Sequence, residues 1–383
     1  MRLMSASVLF AVLVSACAGD VAIMDAAPRG VAVPAVTTSL PTSTTTTTST
    51  IPPIVNRGVA VVNPGGGDLI DGPEGSVIQS IHQGIALGFD ERDGTKLRVT
   101  TPCNDTAWID ESDVSVIPQS VRGTPGPGFD LAKAVVVLDP GHGGRDWGAV
   151  GATSLGEKEV NLAIAEMAKQ LFESPHAIDW TTGAVSGGRE YPGVARVVLT
   201  RSSDAADDGD YEIGLGYRSA IAEAAGADVM VSIHNNSVAQ RDLEQPGTEI
   251  YYSVSNDESA RLAGIIYEEM LLSLEQFDVP WTGGFVTGAR ARVDPETGDD
   301  YYGLLRRSSM PAVIAEGVFL TNPEEEALAR TDEFRQAYAE AVYRAVVRFL
   351  TTDDPGSSIN PPEPFPDDAG VASTASCRVP EQP

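Results

Sequence analysis

The chain has 383 residues, 42% of them hydrophobic and 21% charged, with a formal net charge of -28. That length exceeds what one hydrophobic core usually holds and predicts two folded domains joined by linkers. The acidic balance excludes nucleic acid and an anionic membrane surface as main partners, because polyanions demand a basic patch.

Arg2 precedes the apolar run from Val8 to Val14, about the length of a signal-peptide core and too short to cross a bilayer. Export is therefore expected. Val14-Ser15-Ala16-Cys17 resembles the lipobox of bacterial lipoproteins, so residues 1–17 are assigned to the signal peptide, with Cys17 acylated as the mature N-terminus. Ala16-Cys17-Ala18 also fits the small-residue cleavage site of a freely secreted protein. Membrane contact is expected only through the lipid. Residues 18–56, which include Thr44 to Thr48, hold too few large apolar groups to fold and are assigned to a Thr/Pro-rich linker.

Short β-rich pieces around Val59 to Val62, Val77 to Ile81, Gly84 to Phe89 and Lys96 to Val99 are broken by turn residues such as Asp93-Gly94. They predict a small all-β, barrel-like domain over residues 57–118. Asp71-Gly72-Pro73 and Ala107-Trp108-Ile109-Asp110 weakly resemble the opening turn and the ending of bacterial Src-homology-3-like domains, which implies either a wall-binding module or a plain spacer. A second linker, residues 119–132, holds Gly123-Thr124-Pro125-Gly126-Pro127-Gly128.

From 133 to 352 strands alternate with helices. Strands are expected near 134–138, 194–200, 228–233, 248–254 and 312–318, and helices near 158–173, 213–226, 257–274 and 333–350. This order predicts an α/β domain whose largely parallel sheet carries helices on both faces. Residues 353–383 form an acidic, proline-rich tail. With Cys17 acylated or removed, Cys103 and Cys377 remain as a candidate disulfide in an oxidising compartment.

Two of the four histidines end apolar strands: His142 in Val135-Val136-Val137-Leu138-Asp139-Pro140-Gly141-His142, and His234 in Val229-Met230-Val231-Ser232-Ile233-His234. Strand ends at the carboxyl edge of an α/β sheet are where such folds build their sites. Glu157 lies one turn before Val160 on the helix face marked by Val160, Ile164, Met167 and Leu171. Two imidazoles and one carboxylate make the ligand set of catalytic zinc sites, which leave a fourth position for water. Glu316 follows the buried run Ala312 to Ala315. A buried unpaired carboxylate is costly, so Glu316 either pairs with an arginine such as Arg306 or Arg307 or faces a cleft as the acid–base group that such a site needs.

The pieces Leu138-Asp139-Pro140-Gly141-His142-Gly143-Gly144, Glu157-Lys158-Glu159-Val160-Asn161-Leu162, Leu199-Thr200-Arg201-Ser202-Ser203-Asp204, Ser232-Ile233-His234-Asn235-Asn236, Gly247-Thr248-Glu249 and Glu316-Gly317-Val318-Phe319 resemble the zinc-dependent N-acetylmuramoyl-L-alanine amidases of the bacterial cell wall. The resemblance implies one Zn2+ held by His142, Glu157 and His234, and Glu316 as the catalytic carboxylate. It also implies peptidoglycan as substrate, cut between N-acetylmuramic acid and L-alanine.

Asn235, Asn236 and Glu249 stand where substrate could be held, or could equally cap turns or support ligands, whereas Arg201, Asp204 and Arg218 are assigned to the scaffold. Residues 174–193 and 283–303 are expected as extra loops around the cleft. The short connection after His234 leaves little room for an inhibitory helix over the metal. A noncatalytic peptidoglycan-binding lipoprotein, or a zinc peptidase cutting within the stem peptide, are the alternatives, and a protein activator is left unassigned. The expected location is the cell envelope, lipid-anchored at the outer face of the cytoplasmic membrane or else secreted.

Overall fold

The computed structural model describes residues 55–204, 214–238, 247–279 and 288–365. The expected signal peptide with Cys17, the first linker up to residue 54, Cys377 and the tail beyond residue 365 lie outside the described residues. Cys103 is disulfide-bonded.

Seven short strands come first: β1 (Gly58–Val62), β2 (Gly67–Ile70), β3 (Val77–Ile81), β4 (Ala86–Asp93), β5 (Lys96–Thr100), β6 (Thr106–Asp110) and β7 (Val114–Pro118). They pair antiparallel in the order β3-β2-β6-β5-β4-β1-β7. In β5, Leu97 and Val99 point inward between half-exposed Lys96, Arg98 and Thr100, the two-residue alternation of a sheet with one wet face.

The second sheet joins β8 (Val135–Pro140), β11 (Arg196–Leu199), β12 (Val229–Asn236), β13 (Glu249–Tyr252), β14 (Gly288–Arg290) and β16 (Ala312–Phe319) in the order β11-β8-β12-β16-β13-β14. Strands β11, β8, β12 and β16 run parallel, while β13 pairs antiparallel with β16. The fold is thus mixed α/β with a mostly parallel sheet. In β8, Val136 and Leu138 face one core while Val135 and Val137 face the other, so burial on both sides explains the unbroken apolar run.

Helices α1 (Glu157–Glu173), α3 (Asp257–Leu274) and α6 (Asp332–Thr351) contribute to the first core, and α2 (Leu215–Ala225) and α4 (Gly303–Arg307) to the second. Asn256 caps α3 by accepting from the Glu258 amide, and Thr331 caps α6 by accepting from that of Phe334. Gly226 ends α2 in the left-handed region at φ 67°, where glycine carries no steric cost.

The N-terminal sheet shares the second core with α2: Leu87 and Phe89 cluster with Tyr217, Ile221 and Ala224. Gly88 makes this close approach possible, since a Cβ there would come within 2.6 Å of the Ala220 carbonyl oxygen.

The expectation that residues 174–193 border the cleft is corrected. They form a hairpin, β9 (His176–Asp179) with β10 (Ala184–Tyr191), beyond the C-terminal end of α1. Seventeen helical residues put that end about 25 Å from Glu157. There Arg344, buried in α6, donates to the Gly183 carbonyl at 2.8 Å and pairs with Glu269 at 2.7 Å.

Candidate active site

Parallel pairing of β12 with β16 sets His234 opposite Glu316, and antiparallel pairing of β13 with β16 sets Glu249 opposite the same residue. His142 follows β8 and Glu157 opens α1, so five elements meet at one sheet edge. The turn that carries His142 is strained: His142 itself has φ 60°, followed by Gly143 at 130° and Gly144 at 61°. A non-glycine residue held there signals a conformation that its surroundings impose. Arg218 imposes it by donating to the Pro140 and His142 carbonyls at 2.9 and 2.7 Å. Arg201 ties the same turn to α1 through the Pro140, Gly141 and Lys158 carbonyls.

His142, Glu157 and His234 each offer a donor atom within 4.8 Å of the others. Glu157 Oε2 lies 3.0 Å from His142 Nε2, and its Oε1 lies 3.0 Å from His234 Nδ1. The other nitrogen of His142, Nδ1, is 2.8 Å from Asp146 Oδ2, the supporting carboxylate that typically fixes a metal-binding imidazole. This donor set fits one divalent ion of borderline softness.

Burial lowers the His142 pKa, but Glu157 and Asp146 outweigh it and raise it to about 10. Burial likewise pushes the Glu157 carboxyl up, yet His142 and His234 hold it well below the usual range. Without metal, His142 is therefore held toward its protonated form.

Gly148 makes the cradle possible. At its φ of 64° a Cβ would lie 2.4 Å from Glu157 Oε2 and 2.7 Å from His142 Nε2. Gly148→Ala is expected to weaken metal affinity about 10- to 100-fold, the usual range for disturbing a ligand's support, with the far-UV circular dichroism unchanged. Metal titration of the purified variant checks this.

Glu316 forms no pair with Arg306 or Arg307, whose guanidiniums donate to the Asp300 and Gly303 carbonyls. Its Oε2 is inaccessible to water and has no hydrogen-bond partner. Burial, then the charges of Glu157 and Glu249, push its carboxyl well above the ordinary value. It lines a cavity of about 150 Å³ with His142, His234, Asp146, Arg218 and Tyr302.

The three residues expected near substrate stand differently. Asn235 is 1% exposed, and its amide side chain donates to Asn161 at 2.8 Å while its backbone N–H donates to Glu157 Oε1 at 2.9 Å. It lies behind Glu157, because the strand's alternation turns it to the face opposite His234. Glu249 is also buried, accepting from Arg290 at 2.7 Å, Tyr251 at 2.6 Å and Asn236 at 3.0 Å. Asn236 is half-buried and committed to that carboxylate.

Arg290, Tyr302 and Asp146 escaped the sequence. Asp146 alone left a signal, four residues after His142 in the same turn. Of the segment 283–303, residues from 288 are described, and Tyr302 and Gly303 reach the cavity. The connection 239–246, where no occluding helix is expected, lies outside the described residues.

Residues 136–183 and 189–348 match the family described as N-acetylmuramoyl-L-alanine amidase, Amidase_3. The chain is 31% identical over 247 residues to N-acetylmuramoyl-L-alanine amidase AmiA of Escherichia coli (strain K12), covering 57% of this chain and 76% of that one. It is 27% identical to N-acetylmuramoyl-L-alanine amidase AmiC of Neisseria meningitidis serogroup B, covering 62% of this chain and 57% of the relative. Among solved structures, amidase AmiC2 of Nostoc punctiforme is 30% identical, with 59% of this chain and 99% of that chain covered and a TM-score of 0.43.

Proposed function

The chain belongs to the N-acetylmuramoyl-L-alanine amidase family, and from that premise we propose that His142, Glu157 and His234 hold one zinc ion and that Glu316 is the proton carrier of the amide hydrolysis. The enzyme acts on peptidoglycan, at the bond between the lactyl group of N-acetylmuramic acid and L-alanine. A zinc ion in this donor set supplies a Lewis acid for the scissile carbonyl and makes water acidic enough to lose a proton near neutral pH.

The observation that carries the assignment of Glu316 is a side chain that lines the cavity with His142 and His234 while one of its carboxylate oxygens has no hydrogen-bond partner. A carboxyl whose pKa is pushed upward by burial and by neighbouring acids is suited to take a proton from the attacking water and pass it to the departing L-alanine nitrogen. Asp146 keeps the His142 ring oriented, and Asn235 and Asn161 do the same for Glu157.

The seven-stranded sheet supports treating residues 57–118 as a small β-barrel-like domain, resting against residues 133–352 as the catalytic domain. Export fits an enzyme of the cell wall, and we assign Cys17 as the lipid attachment, with Cys103 bonded to Cys377. No described helix is long and apolar enough to cross a membrane. A protein activator is compatible with the site but has no assigned surface.

Incubating purified sacculi with the full chain, with and without chelator, tests the function. Intact stem peptides with free L-alanine amino groups are expected by mass spectrometry, and only without chelator. Fragments cut inside the stem peptide would instead make the protein a zinc peptidase.

A further inference from the structure

The cavity of about 150 Å³ is smaller than the roughly 300–1,000 Å³ of clefts that enclose a whole small ligand. A muramoyl-peptide therefore fits inside only around its reacting amide, and its sugar and peptide arms must cross the rim. Trp147 lies in the chain between two residues of that site. Its neighbour Asp146 lines the cavity and reaches His142, while a Cβ on its other neighbour, Gly148, would touch both Glu157 and His142.

The indole is nonetheless 47% exposed. One face is taken: Lys158 Nζ lies 4.0 Å from the ring centroid and is itself held by Asp204 at 2.6 Å and the Gly144 carbonyl at 2.7 Å. Lys158 is only 2% exposed, so this face is turned into the protein. Gly156 lets the ring lie flat, since a Cβ there would come within 2.7 Å of Trp147 Cε3. Held against Lys158 and close to Gly156, Trp147 still leaves almost half of its surface in water, at a cost in apolar area. A second apolar side chain, Leu215, lines the cavity at 46% exposure.

We propose that Trp147 binds the sugar of the substrate, its free face stacking on the C–H face of the pyranose ring that carries the scissile lactyl amide. A rigid aromatic with two side-chain torsions is ordered before binding and loses little entropy on contact. The proposal rests on the amidase function described above, which makes a ring sugar the group next to the reacting bond.

The zinc-loaded full chain is assayed on two substrates, a disaccharide stem peptide and the same peptide capped by the lactyl group alone. Trp147→Ala is expected to raise KM about tenfold on the first, equivalent to roughly 1.4 kcal/mol. Its kcat is expected to stay within about twofold, the pattern of lost uniform binding. KM on the sugarless substrate should not change, and Trp147→Phe should retain most of the affinity.

Turnover-independent evidence comes from titrating Glu316→Gln protein with free disaccharide. A saturable change in tryptophan fluorescence is expected, and it should vanish when Trp147→Ala is added. Equal impairment on both substrates would show that Trp147 merely supports its loop, and no change on either would leave it without a binding role; each overturns the proposal. Should the wild-type chain cut neither substrate, the assigned function fails, while the fluorescence titration still decides whether Trp147 binds sugar.

Discussion

Glu316→Gln is expected to lower kcat about a thousandfold, within the range for loss of a general acid–base group, while leaving zinc binding at one ion per chain. Glutamine keeps the shape and removes the proton carrier, so the neighbouring donors His142, Glu157 and His234 stay in place. The same substitution removes a charge that burial, Glu157 and Glu249 all oppose. The folded state of the metal-free wild type binds a proton at Glu316 more tightly than the unfolded chain does. Stability from this group is therefore fully present below the ordinary glutamate pKa and declines as pH rises toward the raised folded value. Metal-free Glu316→Gln should lack that decline and melt above the wild type at neutral and alkaline pH. A variant that binds zinc and retains full turnover would remove Glu316 from the chemistry.

His142→Ala is expected to abolish both stoichiometric zinc binding and stem-peptide release. One of three protein donors is lost, and buried Glu157 is left without one of its two imidazole partners. Elemental analysis after gel filtration, beside the sacculus assay, checks both effects. In the metal-free wild type the His142 pKa is raised from 6.5 to about 10. The associated ion-pair stability is fully present below about pH 6.5 and is lost as pH rises through about 10. Zinc must displace that proton, so its apparent affinity should climb with pH across the same window, with proton release measurable by calorimetry in buffers of different ionisation enthalpy. His142→Ala, which binds no zinc, should show no zinc-coupled proton release. Full activity in this variant would defeat the proposed metal centre.

Much of the site was legible because its chemistry is tied to local pattern. An apolar run followed by Pro140-Gly141-His142 announces a strand end, and Val160, Ile164 and Leu171 fix the phase of α1 and hence the inward aim of Glu157. The polar partners were not legible. Asn235 and Glu249, left open between holding substrate and supporting neighbours, are buried, one behind Glu157 and the other bonded to Arg290, Tyr251 and Asn236. The hairpin at 176–191 was misplaced for a related reason: sequence shows that a segment is inserted, but helix length and direction decide which end of the sheet it occupies.

By itself the sequence determined the alternation of strands and helices, the identity of the candidate ligands and the family that carries them, since each rests on residue type within short local motifs. Tertiary structure alone decided that β13 runs against β16 and sets Glu249 opposite Glu316. It also decided that Asp146 steadies His142, and that Glu316 Oε2 meets no arginine. Those outcomes depend on pairing between segments far apart in the chain, where register and burial, not local propensity, determine which charges meet and which are left alone.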